Sequence, residues 1–302
     1  MNVDVAGAVY SGRHSFDVGG LVQRVRILPV ESALSVVLDL NAPAQQSAFY
    51  LPTPFRIVID VSPLAAAAPE QPAKLSRRGR RVDRIALDPG HGGTDPGATG
   101  RSGIQEKDVV LDVAHRAAPL LARELGVSTL LTRDSDARVP LEERVARANA
   151  FGADLFVSIH CNADPSRSAR GVMTFVLGSS HDRRAGSVLE RENAAPASDA
   201  GELARFIRQF DGTSSESRSI RFAQLLQRAA ISSLVTDYPD AVDGGVHGAG
   251  FYVLAGARMP AVLFETSFVS NGFEETLLRT PRYRQKLADA IVNAVRAYKS
   301  GY

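Results

Sequence analysis

The alternation of strand-like and helix-like segments after residue 83 is the feature that most limits how this chain can fold. Short apolar runs at Arg84 to Asp88, Val127 to Thr132 and Asp154 to His160 are typical of buried strands. Between them, apolar residues recur at helical spacing from Val110 to Leu125 and from Leu141 to Ala148. Regular alternation of this kind favours a mostly parallel sheet covered by helices on both faces. We therefore predict an α/β fold for this region.

The same criteria predict further elements towards the C-terminus. The additional strands are Gly171 to Leu177, Gly250 to Leu254 and Ala261 to Glu265, and the additional helices are Ile220 to Leu234 and Pro281 to Tyr298. Pro119 lies inside the first helical stripe, and proline removes a helical hydrogen bond. We expect that helix to kink or to be interrupted there.

The N-terminal part has strand signals only. Val-, Ile- and Leu-rich runs at Leu21 to Leu28, Ala33 to Leu40 and Phe55 to Val61 are separated by turn residues. We predict a small all-β domain over residues 1–63. Residues 64–81 are Ala-rich, Pro-containing and basic, and their apolar residues follow neither strand nor helix periodicity. We interpret them as a linker. Residues 82–302 then form the α/β domain.

Charge and cysteine content exclude several classes of protein. Net charge is only +2, and the single tight basic cluster, residues 77–81, is best explained as part of a solvated linker, so we expect no nucleic-acid partner. The one cysteine excludes a disulfide framework and a Cys-rich metal site. No apolar run approaches the roughly 20 residues that span a bilayer, and the first residues lack a signal-peptide pattern. We expect a monomer without a transmembrane segment, with any export signal absent from this chain.

Two histidines and two glutamates fall where predicted strands or loops end. His91 lies in a Gly-rich turn after a strand, His160 and Glu265 each end an apolar strand, and Glu106 lies in the first turn of a helix. In open α/β sheets, reactive groups gather at the carboxyl ends of strands. A catalytic zinc takes three His or carboxylate ligands and leaves one position for water, and a further carboxylate can accept the proton of that water. The set predicts hydrolysis at a metal site.

Each of these residues also has a plainer explanation. The turn around His91 could be a simple Gly-rich turn, although it lacks the spacing of a phosphate-binding loop. Glu106 could serve only the helix dipole, and a single histidine such as His160 is often a hydrogen-bonded structural residue. Cys161 should not form a nucleophilic pair with His160, because neighbours on a strand point to opposite faces, so we interpret it as a packing residue.

Glu265 could instead cap the helix that follows it, but that helix already has its own capping residues. Asn271 and Glu274 have the spacing of a capping box. Glu265 is therefore free for another role.

Several of these stretches together resemble the zinc-dependent N-acetylmuramoyl-L-alanine amidases, the type that includes the bacterial cell-separation amidases. The matching stretches, in family order, are Asp88-Pro89-Gly90-His91-Gly92-Gly93, Glu106, Ser158 to Ala163, Gly250 to Leu254 and Glu265 to Asn271. The resemblance implies that His91, Glu106 and His160 bind Zn²⁺ and that Glu265 is the catalytic acid/base. It also implies peptidoglycan as substrate, cut between N-acetylmuramic acid and L-alanine. Thr266-Ser267 departs from the family, where many members have a Gly before Phe268.

Two other regions carry resemblances of their own. Arg56 to Val61, after Pro52-Thr53-Pro54, resembles the second half of an AMIN domain, which implies attachment to peptidoglycan in the periplasm or cell envelope. The stretch at about 179–219 shows neither strand nor helix periodicity. It resembles the regulatory insertion of amidases that a partner protein activates. That resemblance implies that a glutamate of the insert fills the open zinc position.

Within the insert, Glu192 is our hypothesis for that glutamate, with Glu190 and Glu202 as rivals and a solvated loop as the alternative. Residues Glu202 to Phe210 are predicted to form a short helix. Two other functions remain open for the whole chain: another zinc peptidase cutting within the stem peptide, or a catalytically silent envelope-binding protein. Retention of all four candidate residues argues against the second.

Overall fold

The computed structural model describes residues 2–6, 10–12, 14–30, 33–52, 55–63, 81–178, 188–189, 191–193 and 214–301. The chain divides into two compact units, Met1–Ser76 and Arg77–Tyr302. All of the predicted linker except Arg81 lies outside the described residues, as do the predicted helix from Glu202 and most of the predicted insert. No helix in the described ranges is both long and apolar enough to cross a bilayer.

The first unit contains β-strands that form a sheet and a hairpin. The sheet has β1 (Asn2–Ala6), β2 (Ser15–Gly19), β3 (Val22–Val30) and β4 (Ala33–Leu40) in the antiparallel order β1-β4-β3-β2, and β5 (Ala44–Pro52) pairs with β6 (Phe55–Pro63). The predicted strands correspond to β3, β4 and β6. The prediction missed β1, β2 and β5. For example, β5 begins Ala-Gln-Gln-Ser, residues of low strand propensity, and is held by its antiparallel pairing with β6.

The second unit has a six-stranded sheet in the order β11-β10-β12-β9-β7-β8. Its strands are β7 (Arg84–Pro89), β8 (Ser128–Leu131), β9 (Leu155–Asn162), β10 (Val172–Leu177), β11 (Asp243–Ala249) and β12 (Ala261–Phe268). Neighbouring strands are parallel except for β10 and β12, which are antiparallel. The prediction of a mostly parallel α/β sheet with a small N-terminal β unit is confirmed.

Helices cover both faces of this sheet. They are α1 (Glu106–Leu125), α2 (Leu141–Phe151), α3 (Ser214–Val235), α4 (Gly272–Leu278) and α5 (Pro281–Ser300), together with a 3-10 helix at Tyr252–Leu254. Side chains alternate between two cores along each strand. In β9, for example, Leu155 and Val157 belong to the core that contains α1, α3 and α5, whereas Phe156 belongs to the other core, which contains residues of α2 and the 3-10 helix. Helix α3 begins at Ser214, inside the predicted insert.

An interruption of the first helix at Pro119 is not observed, and one predicted strand is wrong. Helix α1 runs without interruption through Pro119, because its buried face, which includes Val113, Ala117 and Leu121, keeps the helix packed although one hydrogen bond is lost. The predicted strand from Gly250 to Leu254 is instead a short loop and the 3-10 helix. Its apolar residues are buried in the second core, and a short apolar run does not by itself distinguish a strand from another buried segment.

Replacement of Phe156 tests the second core. Phe156 is wholly buried, so Phe156→Ala removes a large packed ring and should lower the free energy of unfolding by about 3–5 kcal/mol. The matched control is Phe273→Ala, because Phe273 is 50% exposed and its ring lies against the Arg170 guanidinium at the surface. We expect the control to lose about 1 kcal/mol or less. Urea unfolding followed by circular dichroism measures both, and equal losses would contradict this core assignment.

Candidate metal centre

The three predicted metal ligands come from different elements and meet at one edge of the sheet. His91 follows β7, Glu106 is the first residue of α1, and His160 lies near the end of β9. The Nε2 atom of His91 is 3.2 Å from Oε1 of Glu106, and Nδ1 of His160 is 3.1 Å from the same oxygen. Residues that are distant in sequence therefore present two imidazole nitrogens and a carboxylate oxygen to a common point.

A fourth side chain, that of Glu192, points to the same place. Residues 191–193 are helical, and Oε2 of Glu192 lies 2.7 Å from Nδ1 of His160 and 3.2 Å from Nε2 of His91. One donor atom from each of His91, Glu106, His160 and Glu192 lies within 4.8 Å of the others. The rival glutamates, Glu190 and Glu202, lie outside the described residues.

The donor atoms have the character expected of cation ligands. His91 Nε2 and Glu192 Oε2 are buried, yet neither has a hydrogen-bond partner of suitable geometry within the ranges that the structure describes. Buried polar atoms without partners are costly. These two atoms lie 3.2 Å apart, and a cation bound by both would satisfy them. Imidazole nitrogen and carboxylate oxygen are ligands that zinc accepts, among other first-row metals. The residues present therefore fit a divalent cation.

Glycines allow the ligands to approach this closely. A Cβ atom added to Gly90 would lie 2.3 Å from Cε1 of His160, and one added to Gly97 would lie 2.6 Å from both Glu106 and His91 side-chain atoms. His91 itself has a left-handed backbone, with φ 58°, which is uncommon for a residue with a side chain. The Gly-rich segment thus forms more than a turn, because it leaves space for the ligand side chains.

Hydrogen bonds orient two of the candidate ligands. Nδ1 of His91 is 3.0 Å from Oδ2 of Asp95; a carboxylate only accepts, so Nδ1 carries the proton and Nε2 is left for the site. The Glu106 carboxylate accepts one hydrogen bond from the backbone N–H of Cys161 and one from that of Ala98, each at 2.8 Å. Cys161 is fully buried, in agreement with its interpretation as a packing residue.

The charges of the cluster support one another. Burial alone would raise the pKa of Glu106, but the charge of His91 and contacts with His160 lower it to about 2. Burial alone would lower the pKa of His160, but Glu192 and Glu106 raise it to about 10. Burial alone would also raise the pKa of Glu192, but the charge of His160 and contacts with both histidines hold it well below its usual range. With the histidines protonated, both carboxylates are therefore ionised at neutral pH, and a bound cation could take the place of those protons.

Glu265, the predicted acid/base, lies beside this cluster. It is wholly buried in β12 and pairs in register with His160 of β9. Neither of its carboxylate oxygens has a hydrogen-bond partner among the described residues, and Nη2 of Arg191 is 3.6 Å from Oε1. Burial and the charge of Glu192 raise the pKa of Glu265 to about 8, against an opposing effect of Arg191. A carboxyl group with a pKa near neutrality is suited to proton transfer.

Sequence reasoning missed several residues that support the site, notably Asp88, Arg133, Arg144 and Arg191. Asp88 is buried at the end of β7 and accepts hydrogen bonds from Ser158 Oγ at 2.7 Å and Arg144 Nη1 at 2.9 Å. Its position at the end of an apolar strand, like that of His160, is a signal that could have identified it. A single sequence contains no comparable signal for the arginines, because their burial depends on tertiary packing.

Comparisons with known proteins identify the family of this chain. Residues 85–297 match the Amidase_3 family model, described as N-acetylmuramoyl-L-alanine amidase. AmiA from Escherichia coli K12 is 36% identical over 239 residues, which cover 76% of this chain and 79% of AmiA. AmiC from Escherichia coli O6:H1 is 36% identical over 246 residues, 78% of this chain but only 57% of AmiC.

A solved structure shows the same fold. The crystal structure of an N-acetylmuramoyl-L-alanine amidase from Clostridium difficile 630 superposes with a TM-score of 0.54 at 27% identity, over 72% of this chain and 96% of that chain. The family match covers most of the stretch from β7 to α5 and includes every described residue of the candidate metal-ligand cluster. The chain therefore belongs to the Amidase_3 family of N-acetylmuramoyl-L-alanine amidases.

Proposed function

We propose that this protein is a zinc-dependent amidase that hydrolyses the bond between the lactyl group of N-acetylmuramic acid and L-alanine in peptidoglycan. The observation that carries the proposal is the convergence of His91 Nε2, His160 Nδ1 and Glu106 Oε1 beside the buried Glu265 carboxylate, which has no hydrogen-bond partner among the described residues. Family membership supports the choice of substrate. The geometry supplies metal ligands and a proton acceptor, which amide hydrolysis requires.

Each residue has a distinct part in the proposed reaction. His91, Glu106 and His160 would hold the cation through the three atoms named above. A bound Zn²⁺ supplies Lewis acidity, which polarises a carbonyl and makes water acidic enough to react at neutral pH. Glu265 accepts a proton from the attacking water and returns it to the leaving amine nitrogen of L-alanine. The buried surroundings of Glu265 favour its protonated form between these two transfers.

The turn at residues 191–193 supports an autoinhibited state. Glu192 presents its Oε2 to both candidate histidine ligands, so it would fill the metal position that the attacking water needs. Arg191 Nε donates to Glu192 Oε1 at 2.8 Å, and its Nη1 donates to the carbonyl of Ala163 at 2.9 Å. Asn193 Nδ2 donates to the carbonyl of Gly250, and the N–H of Tyr252 donates to Asn193 Oδ1, each at 3.0 Å. These contacts hold the turn against the site from two sides.

Activation would then require a partner that withdraws residues 191–193. We further propose that the protein acts in the periplasm or cell envelope in cell-wall remodelling or daughter-cell separation. Its N-terminal β unit, residues 1–63, would serve as an AMIN-like module that attaches the enzyme to peptidoglycan. Residues 82–302 would form the catalytic domain, with the regulatory insert at about 179–219.

Replacement of the acid/base tests the enzymatic proposal directly. Glu265→Gln keeps the shape of the side chain but cannot accept the proton, so kcat should fall by about 10²–10⁴-fold while zinc content is unchanged. The measurement is release of soluble fragments from purified sacculi by activated protein. An active Glu265→Gln variant would contradict the role of Glu265. Mass spectrometry of the products separates an amidase, which leaves intact stem peptides, from a peptidase that cuts within them.

Gly90→Ala tests the metal ligands without changing any of them. The new Cβ would meet the His160 imidazole at 2.3 Å, and the displaced ring should lower zinc affinity by about tenfold or more. Gly272→Ala is the matched control, because nothing lies within 4 Å of its Cβ position. The amount of zinc retained after dialysis, measured by inductively coupled plasma mass spectrometry, should fall only for Gly90→Ala. Equal zinc in both variants would argue against His160 as a ligand.

Glu192→Ala tests autoinhibition. A charged contact of this kind contributes about 1.5–3 kcal/mol, so its loss should raise unstimulated activity on sacculi roughly 10- to 100-fold. Glu143→Ala is the control, because Glu143 is a partly exposed residue of α2 paired only with Arg147 among the described contacts. Unchanged activity of Glu192→Ala would remove the blocking role.

A further inference from the structure

Two arginines are buried behind the loop that carries His91. Arg133 follows β8 and Arg144 lies in α2, and each is only 3% exposed. Buried guanidinium groups are rare because loss of hydration is costly. Their donors must therefore be satisfied by the protein, and several of the acceptors are backbone carbonyls next to the candidate metal ligands.

Arg133 joins the two backbone segments on which metal ligands are mounted. Its Nη2 donates to the carbonyl of Gly90 at 2.7 Å and to the carbonyl of Lys107 at 2.8 Å. Gly90 immediately precedes His91, and Lys107 immediately follows Glu106. A single nitrogen atom thus links the segment of one ligand to the segment of another. The Nε atom adds a hydrogen bond to the carbonyl of Pro89 at 2.9 Å.

Arg144 secures the same loop from another direction. Its Nη2 donates to the carbonyl of His91 at 2.7 Å, and its Nη1 donates to the carbonyl of Pro89 at 2.6 Å and to the Asp88 carboxylate at 2.9 Å. The paired negative charge of Asp88 compensates Arg144 directly. Arg133 makes no ion pair of this kind in the described part of the chain, and its hydrogen bonds go to carbonyl oxygens and hold backbone positions.

The conformation of the loop explains why such support is needed. His91 has φ 58°, a left-handed conformation that costs a residue with a side chain roughly 1 kcal/mol or more. An unsupported loop would relax towards ordinary backbone angles and move the imidazole away from Glu106. The guanidinium fork donates to several acceptors in one plane, whereas a lysine ammonium is a compact point donor.

We propose that Arg133 is a positioning residue for the metal centre, which fixes His91 relative to Glu106 by bridging the carbonyls of Gly90 and Lys107. This inference rests on the proposed zinc site. It concerns the geometry of the ligands and leaves the chemical step to Glu265. Its signature is a loss of metal affinity that is larger than any loss of stability in the metal-free protein.

The test compares Arg133→Lys with Arg147→Lys. Arg147 also donates to a backbone carbonyl, that of Thr132, and to Glu143, but none of its hydrogen bonds in the described part of the chain reaches a ligand-bearing segment. The dissociation constant for Zn²⁺ is measured by competition with a chromophoric chelator on the full chain. The unfolding temperature of the metal-free protein is measured in parallel. We expect Arg133→Lys to weaken zinc binding about 10- to 100-fold, and Arg147→Lys to leave it within about twofold of the original protein.

Each outcome either supports or overturns the positioning role of Arg133. A folded Arg133→Lys protein with unchanged zinc affinity overturns the inference, as does an equal loss of affinity in Arg147→Lys. If Arg133→Lys does not fold, Arg133→Gln, which keeps one neutral donor group, is measured in the same way. Failure of both to fold assigns Arg133 to the fold and also overturns the inference. Failure of the unsubstituted protein to bind zinc rejects the proposed function itself, and so the two failures are distinguishable.

Discussion

The architecture of the second unit depends on a buried concentration of charge at the carboxyl ends of β7, β9 and β12. Glu106 is at its centre, because one carboxylate oxygen lies within 3.2 Å of both candidate histidine ligands and accepts a backbone hydrogen bond from Cys161. Removing such charges from water is costly unless each is compensated. Here the compensation is mutual, and it requires segments far apart in sequence to be held within a few ångströms. Glycines, a left-handed histidine and two buried arginines meet that requirement.

Much of this arrangement could be predicted from the sequence, because polar residues that follow apolar strands mark most of the candidate site. Apolar strands that end in a polar residue identified His160 and Glu265, and the Gly-rich turn after β7 identified His91. Glu106 was harder to assign, since an acidic residue in the first turn of a helix is common for other reasons. The convergence of the four residues follows from parallel strands whose carboxyl ends share one edge.

Other parts could not be predicted, for physical reasons. Arg133 and Arg144 read as ordinary surface residues, because only the tertiary fold shows which charged side chains are buried. Pro119 was expected to kink or interrupt α1, and the helix continues through it because the packing of its buried face outweighs the loss of one hydrogen bond. The position of Glu192 depends on tertiary contacts of Arg191 and Asn193, and the segment around it has no period from which those contacts can be inferred. The resemblance to partner-activated amidases supplied the hypothesis, and the sequence pattern alone did not.

Residues 191–193 act on both halves of the proposed chemistry. Glu192 contacts the candidate metal ligands, while Arg191 places a positive charge 3.6 Å from the carboxylate of Glu265. A positive charge there lowers the basicity of the group that must accept a proton. Withdrawal of this one turn would free a coordination position and remove both charges, and because the Glu192 charge affects the pKa of Glu265 more than the Arg191 charge does, that pKa would fall.

The central claim is that His91, Glu106 and His160 bind a single divalent cation. Anomalous diffraction at the zinc absorption edge, from crystals grown with Zn²⁺, tests it most directly. The account predicts one strong peak at about 2.0–2.2 Å from His91 Nε2, His160 Nδ1 and an oxygen of Glu106. A peak elsewhere in the molecule, or no peak at this cluster in zinc-saturated crystals, would contradict it.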